Sequence, residues 1–170
     1  MMHQHVITLY LGGIVGALLM DITETVAARH GIGSDVSVRL VGRWAIALGR
    51  GTLQHRDIRE SISHRHEIAA GWLFHYFIGG GAVALLLAIG WQLAGVTAPL
   101  ASPLPYLLFG FATSVLPWLI LLPSFGWGLA GRHGPAGSNA PLASTLSHIP
   151  YGLGIWLTVV AVNAFFYIKG

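Results

Sequence analysis

Residues 68–131 read IAAGWLFHYFIGGGAVALLLAIGWQLAGVTAPLASPLPYLLFGFATSVLPWLILLPSFGWGLAG, a run of 64 positions without one Asp, Glu, Lys or Arg. No soluble fold can cover that much uncharged apolar chain. A soluble domain has roughly a quarter of its residues charged, and here the figure is 9%. The few charges are also crowded, 13 of the 15 lying between Asp21 and Glu67. The chain therefore reads as an integral membrane protein, and 170 residues leave room for a single domain.

A membrane helix needs about 20 predominantly apolar residues to cross a hydrocarbon core roughly 30 Å thick. Four stretches qualify, at about residues 6–28, 68–93, 105–130 and 143–168. The third is expected to bend at Pro117 and Pro123, with a broken or re-entrant end through Gly126 and Gly128. No positive segment and no small-residue cleavage site mark the first stretch as a signal peptide, so it is expected to remain.

Orientation follows from the arginines. Arg29, Arg39, Arg43, Arg50, Arg56, Arg59 and Arg65 fall in the loop at residues 29–67, and Arg132 in the loop at 131–142. The positive-inside rule makes both loops cytoplasmic and both termini periplasmic. Within the first loop, Val36, Val38, Leu40, Val41, Trp44, Ala45 and Leu48 alternate with Arg39 and Arg43. At 100° per residue Arg39, Arg43 and Arg50 share one side of a helix that Gly49 and Gly51 would end. Such a helix would lie along the surface, with Trp44 at headgroup depth and the guanidiniums toward water or anionic lipid phosphates. It serves either as a topology anchor or as a lipid-headgroup site. The expected fold is thus an all-α integral membrane four-helix bundle with an interfacial amphipathic helix in its first cytoplasmic loop.

Several classes drop out. With no cysteine there are no disulfides, thiolate zinc sites, iron–sulfur clusters or cysteine nucleophiles. The basic residues are explained by topology and anionic lipid, not by nucleic acid. Hydrolase and nucleotide-binding motifs are missing. His64, His66 and Glu67, and the His3-x-His5 pair, could bind metal but are more simply a hydrated basic loop and a terminus.

Ionisable groups inside a span are costly and point to function. The first span brings Asp21 and Glu24, three residues apart on one face; the second brings His75 and the fourth His148. At about 1.5 Å per residue, Asp21 and His75 lie roughly 12 Å inside the cytoplasmic ends, Glu24 and His148 about 7 Å. Two carboxylates and two imidazoles therefore share one layer, with Trp72, Tyr76 and Tyr151 around them and Trp72 and Trp118 as walls. Three accounts fit: a metal, cofactor or small-ligand site, a proton or ion relay, and a purely structural pairing. Zinc, iron or manganese would suit such donors, and His75 with His148 would suit a b-type haem, although Asp21 is then an odd neighbour unless it met a propionate. The rival from another class is a non-catalytic accessory or assembly subunit, partnered by another membrane protein or by a second copy.

Met20-Asp21, Leu40-Val41-Gly42-Arg43-Trp44, Gly51-x-x-x-His55 and Glu67-x-x-x-Gly71-Trp72-x-x-His75-Tyr76 follow one another in this chain. Ile78-Gly79, Pro123-x-x-Gly126-x-Gly128-x-Ala130, Ser147-His148 and Gly152-x-Gly154 complete the series. Together they resemble a family catalogued only as a domain of unknown function, number two thousand nine hundred and thirty-eight of its series. The resemblance implies a four-helix protein of the bacterial inner membrane and brings no activity with it. It includes Asp21, His75 and His148 but not Glu24, and the family's Met-Gln-Pro in the third span is here Leu121-Leu122-Pro123.

Overall fold

The computed structural model describes residues 2–96 and 100–169. Its long helices are α1 (Met2–Arg29), α3 (Glu67–Ala94), α4 (Leu104–Ser124) and α5 (Ala140–Lys169), with the shorter α2 (Val38–Leu48) between the first two. Among the described residues there is no strand. All four long helices are long and apolar enough to cross a membrane.

Local chemistry sets the boundaries. Ser37 caps α2 by accepting from the Leu40 N–H (3.3 Å), and α3 stops at Gly95, whose φ of +66° a side chain would oppose. Pro105 sits in the first turn of α4, where its missing N–H costs no helical bond. Both α3 and α4 contain wide i→i+5 stretches, at Phe74–Ala82 and Pro117–Leu121.

The third span ends earlier than the sequence suggests. Helix α4 stops at Ser124, and the chain turns through Gly126 (φ +85°) and Gly128 (φ +72°) instead of running on to Ala130. That turn docks on the Arg-rich loop, where the N–H groups of His55 and Ile58 donate to the carbonyls of Ser124 (2.8 Å) and Phe125 (2.9 Å).

Helix α1 lies along α5 and also packs on α3, while α5 carries the first half of α4. Two cores result. Leu9, Leu87, Tyr106, Tyr151, Ile155 and Val159 fill the half nearer the termini, and Trp44, Ile58, Leu122, Phe125 and Trp127 fill the Arg-rich end. Helix α2 is the amphipathic segment the periodicity predicts, but its inward side includes two residues expected on the surface. Arg43 is 8% exposed and Trp44 6%. Trp44 packs edge-on to Phe74 and Phe125 and donates from Nε1 to the Leu53 carbonyl (3.3 Å), so it belongs to the protein core and not to the headgroup layer.

Candidate functional site

A cavity of about 550 Å³ lies toward the Arg-rich end, walled by all five helices. Asp21, Glu24, His75 and His148 all line it. The four side chains expected in one layer thus share one cavity wall. Trp72 and Tyr151 line it as well, whereas Trp118 does not, and its indole N–H is buried without a partner.

Helix α3 supplies most of the company of Asp21. The Tyr76 hydroxyl donates to Asp21 Oδ2 (2.6 Å), and His75 Nε2 stands 3.0 Å from Oδ1. The Asp21–His75 contact is an ion-pair distance without hydrogen-bond alignment, because Nε2 has no properly directed partner. Trp72 stacks on Tyr76 at 5.6 Å and so fixes the ring that holds the carboxylate. Tyr76 itself does not line the cavity; it acts from behind.

Helix α5 arranges the other two groups. Ser147 donates to Glu24 Oε1 (3.3 Å), and His148 Nδ1 lies 2.7 Å from the Ser144 carbonyl one turn earlier. A carbonyl only accepts, so Nδ1 carries the hydrogen and Nε2 of the neutral ring is an acceptor. Ser144, 6% exposed, lines the cavity, and its hydroxyl oxygen is buried with no hydrogen-bond partner among the described residues. Tyr151 spends its hydroxyl on the Gly80 carbonyl (2.6 Å) and locks α5 to α3.

The donors do not converge on a metal. Among the described residues no three of His, Asp and Glu come together as a ligand set. The reason is local: His75 and Tyr76 occupy Asp21, Ser147 turns Glu24 toward α5, and His148 is steered by its own helix. No ligand set for the expected zinc, iron or manganese is found among the described residues. A haem axial role for His75 also meets the difficulty that its Nε2 already faces Asp21. His64 and His66 join no metal set either, and the His3 side chain lies outside the described residues.

The Arg-rich end closes the cavity through a hub that sequence reasoning missed. Glu67, 1% exposed, accepts from Arg39 Nη1 (3.0 Å), Arg43 Nε (3.0 Å) and the His64 N–H (3.1 Å). Arg43 Nη1 in turn donates to the carbonyls of Ile58 (3.1 Å), Arg59 (3.3 Å) and Ser61 (3.0 Å). The one available signal was that Glu67 is the last charge before the uncharged run. Arg39 keeps an exposed stem, and Arg50 is exposed. Nearby, hydrogen bonds from Arg59 hold the Asp57 carboxyl down at about 2, and Asp57 raises the Arg59 guanidinium in return. Trp127 Nε1 also donates to Asp57 (3.4 Å), fastening the loop to the turn after α4.

The family model described as a protein of unknown function (DUF2938) matches residues 10–162. Nothing matches among the curated proteins, and nothing among the solved structures.

Proposed function

The chain belongs to this family of proteins of unknown function, and on that premise we propose that it is a small-molecule-binding membrane protein whose ligand sits in the cavity between α1, α3, α4 and α5. One observation carries the reading. Four ionisable side chains from three helices line a single cavity whose remaining wall is largely apolar, including Met20, Ile78, Val83, Leu116 and Ile120. Binding sites are mostly apolar hollows with a few convergent polar groups, and this volume is of the usual size. The polar groups would orient the ligand and the apolar wall would hold it. In this reading the Arg-rich end is cytoplasmic, both termini are periplasmic, and the membrane is the bacterial inner membrane.

The experiment is to purify the protein without a tag in lipid nanodiscs and identify bound small molecules by native mass spectrometry. A molecule retained by the wild type should be lost from Asp21→Asn, His75→Ala and His148→Ala, with melting temperatures close to wild type. A wild type that retains nothing overturns the proposal. Variants that merely fail to accumulate would make the polar layer structural, as an accessory subunit requires.

A further inference from the structure

We propose that the cavity takes a single-chain amphiphile bearing a protonated amine, which enters sideways from the bilayer between α3 and α4; this deepens the ligand-cavity reading above and rests on it. The site of entry follows from how those two helices are held. Toward the terminal end they meet where Trp91 packs edge-on to Tyr106 (5.1 Å). At the Arg-rich end Trp44 bridges them, touching Phe74 of α3 and Phe125 just beyond α4. Between these two ties lies the cavity. Ile78 of α3 and Ile120 of α4 line it while staying 50% and 55% exposed, so its mouth faces where lipid chains run.

The head group follows from the balance of donors and acceptors. No Lys or Arg is among the residues that line the cavity, whereas two carboxylates are. Asp21 is already met by His75 and Tyr76. Glu24 has only the Ser147 hydroxyl on Oε1, and its Oε2 accepts no hydrogen bond from a described residue. His148 Nε2 adds an acceptor. Ser147, which holds Glu24, precedes His148 on α5, and Glu24 and His148 line the same cavity. A primary ammonium offers N–H donors to both. A carboxylate or phosphate head would meet Asp21 and Glu24 with no Lys or Arg in the cavity lining, which gives the selection its sign.

The test uses the tag-free protein in zwitterionic nanodiscs with dodecylamine, dodecanol and dodecanoate as probes. Bound molecules are counted by native mass spectrometry, and empty nanodiscs correct for partitioning. Dodecylamine should bind one per chain, at least about tenfold tighter than dodecanol, with dodecanoate no higher than in empty nanodiscs. Glu24→Gln keeps an oxygen for Ser147 and should abolish the amine preference while leaving dodecanol binding unchanged. Ile120→Trp should slow amine uptake with the melting temperature unaltered. Equal binding of amine and alcohol, or full preference in Glu24→Gln, overturns the head-group assignment and leaves the cavity reading standing. If no probe binds but another molecule co-purifies, this inference alone falls. If nothing binds and nothing co-purifies, both fall.

Discussion

Arg43 and Glu67 meet where α2 crosses the start of α3, with Nε 3.0 Å from Oε2 and side chains only 10% and 1% exposed. The same guanidinium holds three carbonyls of the following loop, so one side chain organises the whole Arg-rich end. Arg43→Ala leaves the buried Glu67 carboxylate with only Arg39 and the His64 N–H, and should cost about 3 kcal/mol. Arg43→Lys should recover only part, since an ammonium lacks the guanidinium's fork. An Arg43→Met, Glu67→Leu double variant should be closer to wild type than either single change. Thermal unfolding in detergent measures all three. A mild Arg43→Ala would show that the pair contributes little.

Gly42 and Gly71 make that crossing close enough for contact. A Cβ on Gly42 would strike the Glu67 carbonyl, and one on Gly71 the Val38 carbonyl. Gly42→Ala and Gly71→Ala should each detach α2 and lower the melting temperature sharply. Gly90→Ala is the control, because nothing lies within 4 Å of the added carbon. It should be neutral, or stabilising by up to about 1 kcal/mol through helix propensity. Equal losses at all three positions would reduce the crossing to general glycine sensitivity.

Elemental mass spectrometry should find no stoichiometric zinc, iron or manganese in tag-free protein, because Asp21, Glu24, His75 and His148 are turned to separate partners. Near-stoichiometric metal, lost from His75→Ala, would mean that those side chains regroup around an ion.

Asp57 gives a pH signature. Its carboxyl titrates at about 2 instead of 3.8, chiefly because Arg59 donates hydrogen bonds to it. A depressed carboxyl pKa contributes stability that is complete above the ordinary value and is lost as pH falls through the folded one. The stability gap between wild type and Asp57→Asn should be constant at neutral pH and shrink between about pH 4 and 2. A gap that persists at pH 2 would assign the effect to the Trp127 contact instead.

The chain has no cysteine, so single engineered ones report topology cleanly. Leu100→Cys should react with an impermeant maleimide added to the periplasmic side, and Thr52→Cys only after the inner membrane is opened. The reverse pattern would invert the proposed orientation.

The parts that depend on short stretches of chain were legible in advance. A span is a local property of about 20 residues, and four of them emerge close to their expected positions. Asp21, Glu24, His75 and His148, grouped in advance by helix rise alone, all line one cavity. What could not be read is what each group faces. The helical wheel placed Arg39 and Arg43 on one side, but Glu67 lies 24 residues beyond Arg43 and no local pattern announces it. The wheel also fails across Phe74–Ala82. His75 and Gly80 are five apart and would diverge on an α-helix, yet both meet α1, at Asp21 and Gly13. The break through Gly126 and Gly128 was expected, but the point where α4 stops, Ser124, could not be read without their positive φ angles.

The bond between His55 and Ser124 joins positions 69 residues apart in the order of synthesis. At about 5–20 residues per second, the loop would emerge roughly 3–14 s before its partner turn is made. During that interval α3 and α4 must both be threaded into the bilayer. Until then the Arg-rich loop is held by Arg43 alone of these ties, and its docking on the turn after α4 comes last.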